Sequence, residues 1–210
     1  MVAAHARVTA DSAVLRRYAE VDEGEPVSRV VLQMGVTMDG YVAGVDEGDW
    51  RLGPEHPDVQ AWKVASLRQV GTHIMGRVTY EQMAAHWPNA TDEYAAFMND
   101  LPKVVFSSTL RAADWPNSRI ARGDLTNEID ALKRESSGEI MAHGGAAFVQ
   151  SLSRHGLIDE YRLVVFPVAL GKGLPLFKDL VEPLRLNLAE ANSFPGGTLI
   201  NVYRRIDATA

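Results

Sequence analysis

A strand-to-helix turn with two adjacent glycines is the segment of this chain whose residue types most directly suggest ligand chemistry. An apolar strand ends before Gly144-Gly145, and a helix begins at once with the small residues Ala146 and Ala147. Glycine lets a backbone approach a pyrophosphate closely, and the N–H groups at the start of a helix attract its negative charge. A plain tight turn uses the same residues, so phosphate binding and simple chain reversal both stay open.

A second strand-to-helix turn carries Gly76, Arg77 and Thr79. An arginine at this place can donate two hydrogen bonds to one phosphate, and Thr79 can cap the helix or donate to the same phosphate. The alternative is a capped helix with a solvated arginine. Residue types alone favour neither interpretation.

A third strand ends in the hydroxyl cluster Ser107-Ser108-Thr109. Such a cluster could bond an adenosine ribose or its phosphate, although serine and threonine at strand ends are more often simple turn residues. In a parallel sheet the carboxyl ends of the strands share one edge, and open α/β sheets bind ligands there. The three turns are therefore expected to meet at one ligand site.

The loop after the first strand and two tryptophans are further candidates for ligand contact. Asp39-Gly40 is a standard tight-turn pair, yet Thr37 and Asp39 could orient a ligand at the rim of the site. Trp50 and Trp62 flank a segment that could cover a flat ring, although packing in the core is the plainer use of both.

Composition excludes several classes of site and partner. The chain has no cysteine, which removes disulfides and thiolate chemistry and suits a reducing cytosol. Its six histidines show no metal-ligand spacing, so no structural metal is expected. A net charge of −6 and a pI near 5.5 argue against nucleic-acid binding. With neither a membrane-spanning run nor the apolar core of a secretory signal, a cytoplasmic protein without membrane partners is expected.

Alternating strands and helices must position these turns. Short β-branched and apolar runs predict strands at Arg29–Met34, Thr72–Met75, Lys103–Ser107, Ser118–Ala121, Glu139–Ala142, Glu160–Val168, Arg185–Ser193 and Thr198–Arg204. Helices are predicted at Pro57–Val70, Thr79–His86, Thr91–Asp100, Leu125–Glu135 and Ala146–His155. This alternation predicts an α/β fold with a largely parallel sheet covered on both faces. A turn at Phe194-Pro195-Gly196-Gly197 predicts that the last two strands form an antiparallel hairpin.

Two regions of the chain differ in composition. Residues 1–27 are Ala-rich and charged, and they predict a short helix and an acidic linker that together form a solvated or docking extension. Residues 28–210 carry all the predicted strands and are long enough for one domain with its own core.

Five segments, taken in order, resemble the dihydrofolate-reductase-like superfamily. They read MGVTMDGYVAG, THIMGRVTYEQMAAHWP, LPKVVFSST, IMAHGGAAFVQSLSRHGLIDEYRLVVFPVALGKGLPLF and LNLAEANSFPGGTLINVYRR. They span roughly residues 29–205, and their order and spacing are similar to one branch in particular. That branch contains the C-terminal reductase domain of bifunctional riboflavin-biosynthesis deaminase-reductases.

The resemblance implies a three-layer fold with a mostly parallel mixed sheet of about eight strands, and one NADPH bound across it. Arg77 matches the partner of the 2′-phosphate, and an arginine beside hydroxyls suits that dianion better than a bare ribose diol, so NADPH is expected over NADH. The other matched positions are Gly76 and Thr79 at the adenosine-side phosphates, Ser107 and Ser108 beside the adenosine, Gly144, Gly145, Ala146 and Ala147 over the pyrophosphate, and Met38, Asp39 and Gly40 next to the nicotinamide and substrate. Relatives of this branch commonly pair, which implies a homodimer.

By this resemblance the chain is expected to be an NADPH-dependent oxidoreductase that passes a hydride to a C=N or C=O carbon of a small, pterin- or pyrimidine-like substrate. Asp39 is the first candidate for orienting the substrate or relaying the proton, and Asp58 is the second. The spacing from Asp58 to Gly76 departs from the dihydrofolate reductases, which argues against folate as the substrate. The alternative is a non-catalytic NADPH- or nucleotide-binding module, or a sensor, on the same fold.

Overall fold

The computed structural model describes residues 28–45 and 55–206, and the strands in these ranges form two sheets. The strands are β1 (Val30–Thr37), β2 (Tyr41–Ala43), β3 (Val70–Gly76), β4 (Lys103–Phe106), β5 (Ser118–Ala121), β6 (Glu139–Ala142), β7 (Glu160–Phe166), β8 (Leu174–Pro175), β9 (Leu186–Ser193) and β10 (Leu199–Arg205). Eight of them form one sheet in the order β5-β4-β3-β6-β1-β7-β10-β9, and β2 and β8 form a separate antiparallel ribbon. The predicted extension at residues 1–27 lies outside the described ranges.

The large sheet is parallel except at one end. Parallel pairs join β5 to β4, β4 to β3, β3 to β6, β6 to β1 and β1 to β7. β10 lies antiparallel to both β7 and β9. The predicted α/β fold with a largely parallel sheet and a C-terminal antiparallel hairpin is therefore confirmed.

Helices cover both faces of this sheet. They are α1 (Pro57–Leu67), α2 (Arg77–His86), α3 (Glu93–Asp100), α4 (Leu125–Glu135) and α5 (Ala146–Arg154), with a short 3-10 turn at Trp87–Asn89. Ile129 of α4 shares a core cluster with Ile74 of β3, whereas Met98 of α3 shares one with Met75. Because consecutive strand residues point to opposite faces, α4 and α3 lie on opposite sides of the sheet, which gives three layers. None of the described helices is long and apolar enough to cross a membrane.

The predicted strands and helices are all present, but several of their ends differ. α1 ends at Leu67 and not at Val70, because Val70 opens β3 and pairs with Glu139 of β6. β1 continues past Met34 to Thr37, since β7 pairs with it as far as that residue. The ribbon of β2 and β8 was not predicted, because strands of three and two residues are too short to show a periodic pattern.

A buried lysine fixes the carboxyl end of α3. Lys103 opens β4, is fully buried, and donates from Nζ to the carbonyls of Met98, Asn99 and Leu101 at 2.7–2.9 Å. These oxygens lie at the end of α3, where carbonyl groups have no partner within the helix. Burial lowers the pKa of the Lys103 ammonium to about 8. Lys103 thereby anchors the carboxyl end of α3 to the sheet.

Candidate active site

Three loops that leave neighbouring strands meet at the carboxyl edge of the sheet. β4, β3 and β6 lie side by side, and their loops start at Ser107, Gly76 and His143. Gly76 pairs in register with Phe106, and its N–H donates to the Gly144 carbonyl at 3.1 Å. The three turns singled out in the sequence therefore lie together, and we call this place the three-loop junction.

Two helices begin side by side at the three-loop junction without a side-chain cap. The N-cap residues of α2 and α5 are Gly76 and Gly145, and a Cβ added to Gly76 would lie 3.9 Å from the Gly145 nitrogen. The other three described α-helices are capped by the side chains of His56, Asp92 and Asp124. Uncapped N–H groups and the positive ends of two helix dipoles form a favourable place for an anion such as a pyrophosphate.

Thr79 reaches toward the glycine pair and does not cap its own helix. A Cβ added to Gly145 would lie 3.2 Å from Thr79 Oγ1, and one added to Gly144 would lie 3.7 Å from it. Because the N-cap of α2 is Gly76, the predicted capping role of Thr79 is wrong. Gly144 has a φ of +111°, a conformation that side chains rarely adopt.

The first turn of α5 presents its backbone with little covering. Ala146 and Ala147 are the first two residues of the helix, and Ala147 is exposed. Their methyl groups are too small to shield the N–H groups of the turn from a bound anion. These two positions thus have the accessibility that a pyrophosphate site needs.

Arg77 is held by its own helix. Its Nη1 donates to both carboxylate oxygens of Glu81 at 3.0 Å, and both side chains are nearly half exposed. An exposed pair of this kind, four residues apart, contributes only about 0.3–0.5 kcal/mol, so a phosphate could replace Glu81 at small cost. Sequence reasoning missed this partner, although the spacing of four residues was the available signal.

Ser107 closes the third turn. Its Oγ accepts from the N–H groups of Thr109 and Leu110 at 3.2 and 2.9 Å, which is the ordinary turn role of a serine. The Arg122 guanidinium donates to the carbonyls of Ser107, Ser108 and Leu110. Ser108 is exposed. Arg122 adds a cation here that sequence reasoning missed, and its signal was a basic residue directly after β5.

Asp39 ties the loop after β1 to the loop after β7. Its carboxylate accepts from Thr37 Oγ1 at 2.6 Å and from the N–H groups of Leu170 and Gly171 at 3.0 and 2.7 Å. The Thr37 hydrogen bond, followed by that of Gly171, lowers the pKa of the Asp39 carboxyl below its ordinary value. An ionised carboxylate with occupied oxygens is a poor proton donor, so this geometry argues against the proton relay and for a positioning role.

Of the residues beside Asp39 on this rim, Thr37 is buried and Met38 is exposed. Thr37 is 1% exposed and its Oγ1 also accepts from the Tyr41 N–H at 2.9 Å, so it does not reach a ligand as the sequence suggested. Gly40 has a φ of +86° and donates to the Thr37 carbonyl at 2.9 Å, which confirms the tight turn. Met38 is 70% exposed. Met38 is therefore the rim side chain that stands free for contact with a cofactor or substrate.

The predicted substrate contact of Trp62 is wrong. Trp62 is 1% exposed and belongs to the core cluster that includes Val59 and Val164, so it cannot cover a flat ring. Trp50 lies outside the described residues. Asp58 lies in the first turn of α1 with a half-exposed side chain, 3.7 Å from His56 Nδ1. In residues 28–45 and 55–206, no hydrogen bond or ion pair connects Asp58 to the three-loop junction.

A pair of histidines adjoins the glycine turn. His143, the residue before Gly144, bonds through Nε2 to Nδ1 of the fully buried His73 at 2.8 Å. His73 Nε2 bonds in turn to the Phe97 carbonyl of α3 at 3.1 Å. Burial lowers the pKa of His73 to about 4, and it lowers that of His143 well below the ordinary value. Sequence reasoning tested the histidines only for metal spacing and missed this pair, whose signal was a histidine directly before Gly-Gly.

The histidine pair predicts that the fold loses stability in mild acid. Each folded pKa lies below the unfolded value of 6.5, so the unfolded chain binds more protons and the free energy of unfolding falls as pH drops below 6.5. Urea unfolding at several pH values between 6.5 and about 5, above the range where carboxylates titrate, measures the slope of the free energy of unfolding against pH.

The matched control for this slope is an exposed histidine. The variant His73→Gln is expected to flatten the slope, whereas His155→Gln, which changes an exposed residue, is expected to leave it unchanged. A parent protein with constant stability over this range would show that the pair is not neutral in the fold.

Sequence comparison identifies relatives over most of the chain. The family model described as the RibD C-terminal domain matches residues 28–200, a range that includes the whole three-loop junction. The uncharacterized protein YyaP of Bacillus subtilis (strain 168) is 31% identical over 182 residues, which cover 83% of this chain and 94% of YyaP.

Solved structures show the same fold. A protein named for riboflavin biosynthesis from Shewanella sp. PV-4 has a TM-score of 0.69 and 23% identity, and the match covers 85% of this chain and 99% of that one. Dihydrofolate reductase from Enterococcus faecalis, complexed with NADP(H), has a TM-score of 0.57 and 14% identity, and the match covers 85% of this chain and 97% of that one. At such identities the likeness establishes the fold, which is the dihydrofolate-reductase-like fold.

Proposed function

We propose that this chain, which belongs to the RibD C-terminal domain family, is an NADPH-dependent reductase that passes a hydride to the C=N or C=O carbon of a small heterocycle. Family membership supports a reductase-like oxidoreductase, and pterins and pyrimidines are the first candidate substrates. The observation that carries the proposal is the pair of uncapped helix starts at Gly76 and Gly145, which adjoin at the carboxyl edge of the sheet.

The three-loop junction fits the pyrophosphate of a dinucleotide. Gly144 and Gly145 have no side chain to crowd this turn, and the first-turn N–H groups at Ala146 and Ala147 have no competing side-chain cap. Thr79 Oγ1 lies beside the two glycines and would donate a further hydrogen bond. These groups are donors, as an anionic ligand requires.

The adenosine end of the ligand would lie toward β4 and β5. We assign the 2′-phosphate to Arg77, which would exchange Glu81 for the phosphate, and the adenosine ribose to the exposed Ser108. Ser107 shapes that turn through its backbone contacts and keeps a hydroxyl hydrogen to donate. This arrangement favours NADPH over NADH, since NADH has no group to pair with Arg77.

The nicotinamide and the substrate would lie at the rim formed by the loop after β1. When bound, the cofactor would supply the hydride, and the chain would supply alignment and exclusion of water. Met38 would cover the ring, while Asp39 and the Gly40 turn hold the rim in place. Asp58 is the remaining candidate among the sequence-predicted acids for moving a proton, and an ordered water is the alternative.

Oxidation of NADPH in the presence of candidate substrates tests the proposal. Incubation with a panel of pterins, pyrimidines and small carbonyl compounds is expected to consume NADPH with at least one member. Cofactor carrying deuterium at the transferred position is expected to pass that deuterium to the product, which separates hydride transfer from slow oxidation by oxygen. Absence of turnover across the panel would count against a reductase.

A second candidate function is a binding module that holds NADPH without turnover. The observation that favours it is the state of Asp39, whose ionised carboxylate is fully engaged with Thr37, Leu170 and Gly171. Tight NADPH binding without oxidation across the panel would support this candidate. A protein that does not bind NADPH would contradict both functions.

A homodimer and a cytoplasmic location accompany the proposed reductase. Resemblance to the reductase branch supports the homodimer, and the absence of cysteine supports the cytoplasmic location. Light scattering of the chain with and without residues 1–27 measures whether it pairs and whether the extension contributes.

A further inference from the structure

A chain of three hydrogen-bonded groups runs from α3 to the residue that precedes the glycine turn of the three-loop junction. The Phe97 carbonyl bonds to His73 Nε2 at 3.1 Å, and His73 Nδ1 bonds to His143 Nε2 at 2.8 Å. His73 is fully buried, whereas His143 is partly exposed. These hydrogen bonds therefore connect a fixed backbone oxygen to a residue that directly precedes the glycine turn.

This connection fixes the proton positions on both rings. A carbonyl oxygen only accepts, so His73 must carry its proton on Nε2, and the Nδ1 of a neutral His73 must then accept. His143 must therefore donate from Nε2, which leaves a lone pair on its own Nδ1. Burial keeps both rings neutral, because it lowers the pKa of each. His143 Nδ1 has no hydrogen-bond partner within the described part of the chain.

The position of His143 in the chain places this residue next to the proposed cofactor site. His143 directly precedes Gly144, and Met141, two residues earlier on the same face, lies in a core cluster with Leu67 of α1. Continuing the β1–β6 register by one residue places Gln33 opposite His143. Gln33 accepts from Ser66 Oγ of α1 at 2.6 Å, so the two partly exposed residues Gln33 and His143 lie on the face that carries α1 and α3.

We propose that His143 recognises the substrate, by accepting at Nδ1 a hydrogen bond from a ligand N–H group, and that His73 is a positioning residue that holds His143 in the required tautomer. The proposal rests on the proposed function, because it places the ligand next to the cofactor site. The chemical class is a neutral heterocycle or amide that presents an N–H donor. An anionic or donor-free group cannot donate a hydrogen bond to the Nδ1 lone pair and is not recognised there.

The tautomer is tested without any ligand. Two-bond nitrogen–proton NMR spectra of the nitrogen-15-labelled protein are expected to show a protonated Nε2 and an unprotonated Nδ1 for both His73 and His143. The variant His73→Leu, which removes the acceptor, is expected to let His143 populate the Nδ1–H form. The variant His73→Gln, whose amide can both donate and accept, is expected to restore the parent pattern. A parent His143 protonated on Nδ1 would overturn the proposal.

Ligand recognition is tested with a matched pair of probes in the presence of NADPH. The parent is expected to bind 2,4-diaminopyrimidine at least about fivefold more tightly than 2,4-dimethoxypyrimidine, which has no N–H donor. The variant His143→Leu is expected to lose that preference and to keep its NADPH affinity within about twofold of the parent. The variant His73→Leu is expected to weaken the preference, and His73→Gln to recover it.

The outcomes separate this inference from the proposed function. A parent that binds NADPH but does not prefer the diamino probe, or a His143→Leu variant that keeps the preference, overturns the role of His143 and leaves the reductase standing. A parent that does not bind NADPH refutes the proposed function. In that case the two pyrimidine probes are measured without cofactor, and a preference for the diamino probe that His143→Leu abolishes supports the role of His143, whereas no such preference overturns it.

Discussion

Replacing Arg77 by alanine is expected to weaken NADPH binding by about tenfold to a hundredfold and to leave NADH binding within about twofold. The variant removes the cation that we assign to the 2′-phosphate, and a hydrogen bond to a charged group contributes about 1.5–3 kcal/mol. In the parent, the phosphate must displace Glu81 from Arg77 before it binds. This displacement reduces the gain from the phosphate contact only slightly, because the Arg77–Glu81 pair is exposed and contributes about 0.3–0.5 kcal/mol.

The matched control for Arg77 is Glu81→Gln. It keeps the arginine and removes the carboxylate that competes for it, so NADPH should bind as tightly as to the parent or more tightly. Titration calorimetry of the parent and both variants with each cofactor gives the affinities. An NADPH affinity of Arg77→Ala within about twofold of the parent would contradict the phosphate assignment. An equal loss for NADPH and NADH would show that the arginine acts on the fold and not on the phosphate.

Replacing Arg162 by leucine is expected to lower the free energy of unfolding by about 3–5 kcal/mol. Arg162 Nε bonds to Glu160 at 2.7 Å and Nη2 bonds to Glu139 at 2.7 Å, and all three side chains are at most 7% exposed. Burial alone would raise the pKa of the Glu160 carboxyl. The charges of Arg162 and of the other arginines bonded to Glu160 outweigh burial and lower this pKa. Leucine would remove the buried one of the two arginines that bridge these carboxylates and leave them with Arg29, whose side chain is 42% exposed.

The control for Arg162 is another arginine on the same carboxylate. Arg204 Nε bonds to Glu160 at 2.9 Å, but its side chain is 41% exposed, so Arg204→Leu is expected to cost less than about 1 kcal/mol. Urea unfolding at neutral pH measures the free energy of unfolding of both variants. Its dependence on urea concentration must be the same in parent and variants for the values to be compared. Equal losses in the two variants would contradict the argument that burial of the pair sets its contribution.

The sequence predicted the layers of the fold better than the ends of its elements. β-branched runs and helical periodicity located the strands and helices, because those patterns reflect which faces are buried. They could not show that Val70 leaves the helical pattern to pair with Glu139 in the sheet, since that contact joins residues far apart in the chain. The order of the strands across the sheet also depends on such contacts.

The candidate site was predicted as three turns, and the structure brings those turns together. What could not be predicted is the state of their side chains, because it depends on neighbours from other elements. Asp39 bonds to backbone from a loop about 130 residues later in the chain, as Leu170 and Gly171 show. Trp62 lies three residues after Val59 on α1, a spacing that marks a shared buried face and could have corrected its interpretation.

The central claim is that the three-loop junction binds one phosphorylated dinucleotide, and titration calorimetry of the unmodified protein tests it most directly. Saturable binding of one NADPH per chain is expected, with NADH at least about tenfold weaker. Absence of heat with NADPH under conditions where the protein is folded, or equal affinities for the two cofactors, would contradict it.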